Sequence, residues 1–440
     1  MIRILDSGDE RAVAALLDRA PRRDAEVERR VARIVSAVRR DGDRAVLAYA
    51  KRFDGLALAV DVTREEMRDA AAGLQADVRL AISTAARHIR HVARRQLPRG
   101  WRTSPAPGVS IEQRVTPLER VGCYVPAGRY PLPSSLLMTA IPARAAGVPE
   151  VIVACPRPDA TVFAAAIEAG VDRLFRMGGA HAVAAMAYGT RAVPRVDKIV
   201  GPGNRWVSAA KSLVTADCAI DFYAGPTEIL VVATKMPAAW VAADLIAQAE
   251  HDPDARAVCI TTSSRAAAAI AAEVALQMPE NGPAAASLWK HGGIIVTGSA
   301  NEAVALANAC ASEHLVVEND AMAARMTNAG AIFIGRWTAQ VAGDYAVGSN
   351  HVLPTAGAAR YRGGLNAADF VKLVSVQRVT ERGLRAIADT ITTLARAEGL
   401  EGHARSIEVR AAEGKAASGR KQPQRKTRFQ RPGPQTMEIE

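Results

Sequence analysis

The segment at residues 150–188 reads EVIVACPRPDATVFAAAIEAGVDRLFRMGGAHAVAAMAY, and its pattern indicates the fold class. Short apolar runs alternate here with longer stretches in which apolar residues recur at helical spacing. Strands and helices that alternate in this way predict parallel strands joined by crossover helices. The predicted elements are the strand Val151–Cys155, the helix Thr161–Ala169, the strand Arg173–Arg176 and the helix Ala180–Tyr188.

The same alternation extends in both directions, from about residue 120 to residue 334. Further strands are predicted at Gly122–Val125, Lys198–Val200, Ile229–Ala233, Ala257–Thr261, Ile294–Thr297, Leu315–Val317 and Ala331–Ile334. Further helices are predicted at Ser134–Ala146, Arg205–Val214, Trp240–Glu250, Arg265–Leu276, Ala303–Cys310 and Ala321–Asn328. An interruption at Thr215–Gly225 indicates two α/β domains, each with a parallel sheet covered on both faces.

The two ends of the chain lack this alternation. The first 100 residues have helical spacing, and a long helix is predicted near Glu381–Ala397, with a compact element around His403–Val409. Residues 414–440 hold seven Lys and Arg against two Glu, which predicts a disordered tail. The expected organisation is an N-terminal arm at 1–22, a discontinuous first α/β domain at 23–123 and 231–364, a second α/β domain at 124–230, a C-terminal helical arm at 365–413 and the basic tail at 414–440.

Composition and cysteine usage exclude several classes of protein. No apolar run reaches the roughly 20 residues needed to span a bilayer, and the first residues lack the order of a secretory signal. We therefore expect a cytoplasmic protein without a membrane partner. The five cysteines are widely spaced and include no Cys-x-x-Cys pair, so neither a disulfide framework nor a thiolate zinc site is expected.

The net charge of +11 raises the alternative of a protein that binds nucleic acid. The tail, with seven basic and two acidic residues, supplies five of these charges. The remainder is spread over Arg-rich helices, where charged side chains form solvated faces. Nucleic acid is therefore not the expected partner.

Two glycine turns follow predicted strands and open predicted helices: Met177-Gly178-Gly179-Ala180-His181 and Gly201-Pro202-Gly203-Asn204. Backbone amides at helix starts favour phosphate or carboxylate ligands, and parallel sheets bind ligands beyond the carboxyl ends of their strands. Neither turn matches the Gly-x-Gly-x-x-Gly pattern or a Walker sequence. The turns are either tight connections or parts of an anion site, and their pairing at one sheet edge modestly strengthens the second interpretation.

Four nitrogen and oxygen donors could form a zinc site without thiolates. Gln248 and His251 are three residues apart at the end of a predicted helix, so their side chains share one face. Asp344 and His403 lie further along the chain. Such a set suits a zinc ion that remains accessible to substrate, although spacing alone does not select a glutamine ligand. The alternative for each histidine is a helix cap or a satisfied core group.

The adjacent residues Glu313 and His314 precede a predicted strand. A carboxylate and an imidazole at a strand entrance can divide proton transfers between them. Because consecutive residues on an extended backbone point in opposite directions, the alternative is a surface Glu313 beside a core or pocket His314. His351 is interpreted as a residue that holds the shape of its loop.

These segments, in this order, resemble the histidinol dehydrogenase family from about Val27 to Val409. Each segment is weakly diagnostic by itself, whereas the ordered set is specific. The segments are Pro117-Leu118-Glu119-Arg120-Val121-Gly122, Pro133-Ser134-Ser135, Ile141-Pro142-Ala143, Gly201-Pro202-Gly203-Asn204, Ala224-Gly225-Pro226-Thr227-Glu228, Gln248-Ala249-Glu250-His251, Ser312-Glu313-His314-Leu315, Gly343-Asp344-Tyr345 and Asn350-His351-Val352-Leu353-Pro354-Thr355.

The resemblance implies an intertwined homodimer of two Rossmann-like parallel-sheet domains with helical N-terminal and C-terminal arms, and one zinc ion in each active site. The implied zinc ligands are Gln248, His251, Asp344 and His403, and the implied acid/base pair is Glu313 and His314. The implied substrate contacts are Thr227, Gln248, His251, His314, Asp344, Glu398 and His403, and the implied contacts to the nicotinamide cofactor are Tyr124, His181 and Asn204.

The implied reaction is the four-electron oxidation of L-histidinol to L-histidine by two molecules of NAD. Zinc would hold the imidazole and amine of the substrate so that the reacting carbon lies beside the nicotinamide. His314, neutral near pH 7, would remove the hydroxyl proton. Glu313 would activate the water that adds to the bound aldehyde.

Several positions depart from the family's usual pattern. His181 stands where glutamine is common, Ala127 where a second glycine is common, and Asp252 where glycine is common after His251. Two alternatives remain open. One is a paralogous zinc/NAD dehydrogenase that acts on another polar primary alcohol. The other is a catalytically idle relative that binds nucleic acid through its tail.

Overall fold

The computed structural model describes residues 2–18, 24–126, 131–223 and 225–418, with side chains up to residue 412. The chain divides into two compact units. The first unit comprises Met1–Pro98 and Thr116–Lys372, and the second comprises Arg99–Val115 and Leu373–Glu440. The expected tail falls mostly on residues 419–440, and Ala127 falls on 127–130; both lie outside the described residues.

The helices and strands of the described residues are numbered in chain order. The strands are β1 Arg3–Asp6, β2 Asp61–Val62, β3 Trp101–Ala106, β4 Val109–Pro117, β5 Arg120–Tyr124, β6 Glu150–Ala154, β7 Arg173–Phe175, β8 Lys198–Val200, β9 Ala219–Ile220, β10 Glu228–Val232, β11 Arg256–Thr261, β12 Gly293–Val296, β13 His314–Val317, β14 Ala331–Ile334 and β15 Val371–Val379. The helices are α1 Glu10–Leu17, α2 Ala25–Asp41, α3 Asp43–Tyr49, α4 Arg64–Ala72, α5 Ala76–Arg95, α6 Pro133–Ala145, α7 Ala160–Ala169, α8 Gly179–Tyr188, α9 Arg205–Leu213, α10 Ala238–Ala249, α11 Ser264–Gln277, α12 Ala284–His291, α13 Ala300–Cys310, α14 Asp320–Ala323, α15 Gln340–Tyr345, α16 Glu381–Ala397 and α17 Glu401–Ser418.

The first sheet has the strand order β1-β12-β11-β10-β13-β14, and its paired strands are parallel. Its central strands are fully buried, as expected for a parallel sheet covered on both faces. One face packs against α10, α11 and α12, and the other packs against α1 and α13.

The second sheet has the order β2-β7-β6-β5-β8-β9, in which only the short edge strand β2 is antiparallel among the described strands. Helices α2, α8 and α9 cover one face, and α5, α6 and α7 cover the other. Asp159 and Asn204 begin α7 and α9 by accepting backbone N–H groups with their side chains. The second unit contains a three-stranded sheet of order β15-β4-β3 and the paired helices α16 and α17.

The nine predicted strands and the two-sheet α/β class are confirmed. The helix predicted at Ala321–Asn328 is wrong in length, because α14 ends at Ala323. The long helix at Glu381–Ala397 is confirmed, and the compact element after it belongs to α17, which extends to Ser418 into the predicted tail. Strands β1, β2, β3, β4, β9 and β15 were not predicted.

The expected assignment of segments to the two α/β domains is wrong in two respects. The described elements of residues 23–123 belong with the second sheet: α2 contacts α8 and α9, α5 contacts α6, and β5 lies at the centre of that sheet. The expected N-terminal arm is also part of a domain. Strand β1 pairs with β12, and Leu16 of α1 is buried against the first sheet. Helical spacing shows that a helix has an apolar face but not which sheet covers it.

Among the described residues, none of the helices combines the length and apolar character needed to cross a bilayer.

Candidate active site

The residues proposed for acid/base chemistry lie at the amino edge of the first sheet. His314 begins β13 and stands opposite Ile229 in the neighbouring strand β10, with Glu313 and Thr227 just before these strands. Helix α10 returns from the other edge, so Gln248 in its last turn reaches the same place. The general expectation of a site at the carboxyl ends of the strands is therefore wrong for this cluster. Helix C-termini meet the amino edge, and their partial negative charge favours cations.

A continuous chain of hydrogen bonds connects Gln248 to Glu313. Gln248 Nε2 donates to Thr227 Oγ1 at 2.6 Å, and Thr227 Oγ1 donates to Glu313 Oε2 at 2.6 Å. The same Glu313 oxygen accepts the backbone N–H of Glu228 at 2.8 Å. Glu313 and His314 are both buried, with Glu313 Oε2 3.6 Å from His314 Nδ1. The alternative of a surface Glu313 is therefore wrong, because its backbone has not yet entered the extended strand.

The imidazole of His314 lies between backbone and carboxylate groups. Its Nδ1 is 3.0 Å from the carbonyl oxygen of Glu228, and its Nε2 is 3.8 Å from Asp344 Oδ1. The Nε2 atom is buried and has no hydrogen-bond partner among the described residues. One nitrogen of the ring is therefore fixed by the backbone while the other faces the site.

Burial and charge change the acidities in this cluster. Burial raises the pKa of Glu313 to about 7, although His314 and the bond from Thr227 act in the opposite direction. Burial alone would lower the pKa of His314, but the Glu313 and Asp344 carboxylates raise it to about 9. The expectation of a neutral His314 near pH 7 is therefore not met by these protein groups alone. For Asp344, burial alone would raise the pKa, but the nearby His314 ring leaves the pKa lowered.

Asp344 is oriented by a residue that was not identified from the sequence. Gln340, four residues earlier on α15, donates from Nε2 to Asp344 Oδ2 at 2.8 Å and is fully buried. The spacing of four residues on one helix was the available signal. His351 also contacts this element: its Nδ1 is 3.1 Å from the carbonyl oxygen of Asp344, and its Nε2 is 3.3 Å from Ser135 Oγ. These contacts agree with a role in loop shape.

Three of the four predicted zinc ligands belong to the first unit. Gln248 is fully buried, and its Oε1 has no hydrogen-bond partner among the described residues because Nε2 is held by Thr227. His251 has Nδ1 at 3.0 Å from the carbonyl oxygen of Ala247, an arrangement that leaves Nε2 for another ligand. Within the described parts of the chain, no cluster of three His, Cys, Asp or Glu side chains is already positioned to hold a metal ion.

The remaining predicted residues of this site belong to the second unit. Glu398 follows α16 as its C-terminal cap, and His403 lies in the first turn of α17; both are exposed. The departure at Asp252 has a local explanation, since its Oδ1 accepts the N–H of Asp254 at 2.8 Å. This carboxylate therefore stabilises the turn before β11.

The three predicted cofactor residues lie at the carboxyl edge of the second sheet. Tyr124 ends β5, His181 lies in the first turn of α8, and Asn204 begins α9. Tyr124 Oη accepts the N–H of Gly179 at 3.1 Å, so the end of β5 contacts the first of the two glycine turns. Burial raises the pKa of Tyr124 to about 12. This hydroxyl is therefore protonated at neutral pH.

Side chains of the protein already bind a backbone amide of the first glycine turn and the amides of the helix start that follows the second. Asp54 Oδ2 accepts the N–H of Gly178 at 2.9 Å and lies 3.0 Å from His181 Nε2. Asn204 Oδ1 accepts the two N–H groups that open α9. The interpretation of these turns as simple phosphate cradles is therefore not supported. Asp54 was missed because it lies more than 120 residues away in sequence.

Fold and site together define a two-sheet α/β enzyme in which a buried carboxylate and imidazole lie beside oxygen and nitrogen donors suited to a metal ion. The family model for histidinol dehydrogenase matches residues 17–411. The chain belongs to the histidinol dehydrogenase family, and it is an enzyme of that class of NAD-dependent oxidoreductases in histidine biosynthesis. The predicted resemblance and the predicted enzyme class are confirmed.

Individual relatives agree with this assignment. The chain is 46% identical over 421 residues to a histidinol dehydrogenase of Halobacterium salinarum, covering 92% of this chain and 98% of the relative. It is 44% identical over 402 residues to that of Methylococcus capsulatus, covering 88% and 92%. The crystal structure of histidinol dehydrogenase from Elizabethkingia anophelis is similar with a TM-score of 0.89 at 30% identity, covering 94% of this chain and 99% of that one.

Proposed function

We propose that the chain catalyses the zinc-dependent oxidation of L-histidinol to L-histidine, through a bound aldehyde and with two molecules of NAD as electron acceptors. The observation that carries the proposal is the buried pair Glu313 and His314, connected through Thr227 to Gln248. Membership of the histidinol dehydrogenase family supports the substrate.

The donors at the amino edge of the first sheet fit a zinc ion. Gln248 Oε1 is a buried oxygen without a partner among the described residues, which is costly unless something binds it. His251 and Asp344 add a nitrogen and a carboxylate, a set that zinc accepts. We assign the ligands to Gln248, His251, Asp344 and His403, with His403 resting on the family resemblance alone.

Zinc would hold the imidazole and amine of the substrate and so orient its reacting carbon, and NAD would accept one hydride in each half-reaction. In the first half-reaction, His314 accepts the hydroxyl proton at Nε2, the nitrogen that faces the site. A cation held by Asp344 would offset that carboxylate and lower the pKa of His314 towards neutrality.

In the second half-reaction, Glu313 accepts a proton from the water that adds to the aldehyde. A pKa of about 7 suits a carboxylate to this task, because it is partly ionised at neutral pH and basic enough to take the proton. Thr227 orients the carboxylate through its hydroxyl. The remaining assigned substrate contact, Glu398, would accept a hydrogen bond from the amino group of the substrate.

We place the NAD site at the carboxyl edge of the second sheet, at Tyr124, His181 and Asn204. Tyr124 and Asn204 end a strand and begin a helix at this edge, which is where open parallel sheets bind ligands. His181 lies beside Asp54 and is almost fully buried, so its contact with the cofactor would require the ring to turn. The proposal also includes a homodimer in the cytoplasm, as the resemblance implies.

One assay tests the reaction. The purified, zinc-loaded protein is given limiting L-histidinol with excess NAD, and the NADH formed per substrate consumed is measured. The proposal predicts a ratio of two, with L-histidine as product. A ratio of one, or turnover of another primary alcohol without turnover of L-histidinol, would contradict it. A His314→Ala variant should lose turnover but keep its zinc, whereas the exposed control Glu280→Gln should keep both.

A further inference from the structure

The carboxyl edge of the second sheet contains a buried ion pair that neither half-reaction uses. Lys211 of α9 and Asp221, just after β9, form this pair with only 2% and 4% of their surfaces exposed. Two charges that are withdrawn from water lose hydration, and apolar side chains of similar volume are often at least as stabilising. Stability alone therefore does not explain why both charges are found here.

Both charged groups bind the peptide of a single glycine. The N–H of Gly201 donates to Asp221 Oδ2 at 2.7 Å, and its carbonyl oxygen accepts from Lys211 Nζ at 2.9 Å. The other Asp221 oxygen contacts Lys211 and accepts the N–H of Phe222 at 2.6 Å. The N–H of the next residue thus orients the Asp221 carboxylate. The ion pair in turn binds both the N–H and the carbonyl oxygen of Gly201.

Gly201 is the residue at which the chain leaves the sheet. Val200 is paired with Cys123 of β5, so a continued strand would place residue 201 opposite Tyr124. Gly201 instead adopts a φ of +115°, and a Cβ there would lie 2.1 Å from the carbonyl oxygen of Tyr124. Only glycine fits this close approach. The chain then passes directly to Asn204, which begins α9.

We propose that Lys211 and Asp221 are positioning residues for the dinucleotide. By binding both polar groups of Gly201, the ion pair fixes where β8 ends and therefore where Asn204 lies relative to Tyr124. The inference rests on the proposed NAD site between these two residues. On this proposal the two buried charges increase the affinity for NAD indirectly. They neither contact the cofactor nor take part in proton transfer.

The test measures NAD affinity separately from alcohol oxidation. In the zinc-loaded full-length protein, Lys211→Met should weaken the Kd for NAD at least tenfold by calorimetric titration, while the KM for L-histidinol changes less than twofold. Lys211→Met leaves the Asp221 charge uncompensated, so the variant could fail to fold. The double variant Lys211→Met with Asp221→Asn removes both charges, should recover the unfolding temperature and should still bind NAD weakly.

The neighbouring pair Lys198 and Asp369 provides a matched control. Lys198 lies on β8 and is partly buried beside Asp369, and its amine donates to the carbonyl oxygen of Asp369, whereas the amine that binds Gly201 is that of Lys211. Lys198→Met should therefore leave the Kd for NAD within twofold. A folded double variant at Lys211 and Asp221 with an unchanged Kd would overturn the inference.

A separate variant distinguishes this inference from the NAD site on which it rests. If Asn204→Ala binds NAD as tightly as the original protein, the proposed NAD site is wrong, and the inference about Lys211 fails with it. If Asn204→Ala weakens NAD binding but the double variant does not, the NAD site stands and only the positioning role is rejected.

Discussion

The hydroxyl of Thr227 provides a sensitive test of the acid/base cluster. It donates to the buried Glu313 carboxylate at 2.6 Å, and this bond lowers the pKa of Glu313 against the effect of burial. A hydrogen bond to a charged group contributes about 1.5–3 kcal/mol. At 1.36 kcal/mol per pH unit, Thr227→Val should therefore raise the pKa of Glu313 by about one to two pH units. Thr227→Ser retains the hydroxyl and should leave the pKa near its original value.

The assay is the pH dependence of kcat for the second half-reaction, with the aldehyde of L-histidinol and NAD supplied directly. The rate rises with pH as Glu313 ionises, so this rise should move to higher pH in Thr227→Val but not in Thr227→Ser. Thr297→Val is a matched control, because Thr297 is a buried threonine just after β12 whose hydroxyl donates to the backbone carbonyls of Thr261 and Ser299. If the two Thr227 variants show the same pH dependence while both retain zinc, Glu313 is not the base.

Three further predictions concern stability, metal affinity and stoichiometry. Burial raises the pKa of Asp244 to about 6 from 3.8, so ionisation of this carboxylate destabilises the folded state as pH rises through this range. In urea unfolding, Asp244→Asn should increase the free energy of unfolding by about 3 kcal/mol at pH 8 and by almost nothing at pH 3.5. Equal increases at both pH values would contradict this prediction. Gln340→Ala should weaken zinc binding by about 10–100-fold in chelator competition, because Asp344 loses its orienting bond; an unchanged affinity would reject that role. Glu313→Gln should lower the NADH formed per L-histidinol from two towards one, with release of aldehyde, and a ratio that stays at two would exclude Glu313 from water activation.

Much of the fold could be predicted because it rests on local patterns. The strands at Val151 and Leu315 are apolar runs bounded by turn residues, and buried parallel strands give this signal directly. The third sheet was missed for the opposite reason. Strand β3 is mostly exposed and contains Pro105, and β15 is exposed along most of its length, so neither has the apolar pattern of a core strand.

The candidate site was predictable only in part. Resemblance to a family identified Glu313, His314 and Gln248, and the structure brings these residues into one buried cluster, in which hydrogen bonds connect Gln248 to Glu313 and His314 lies 3.6 Å from Glu313. The spacing of residues along the sequence does not predict contacts between distant segments. Asp54 reaches Gly178 from a different helical segment, and Asp221 binds Gly201 from the far end of the α9 crossover that connects β8 to β9.

The acid/base cluster lies at the amino edge of the first sheet, whereas the carboxyl edge was expected. The rule that ligands bind at the carboxyl ends of parallel strands describes the second sheet, where Tyr124 and Asn204 lie. In the first sheet, the end of α10 brings Gln248 back to the amino edge beside Glu313. The two edges suit opposite charges, because helix starts favour anions and helix ends favour cations.

The proposed reaction requires that a zinc ion binds beside the Glu313–His314 pair. Anomalous diffraction at the zinc edge, from crystals of the zinc-loaded protein, tests this claim directly. The expected result is one strong peak per chain within coordination distance of Gln248 Oε1, His251 and Asp344. A protein that turns over L-histidinol while its zinc lies elsewhere, with these three side chains unbound, would contradict the claim.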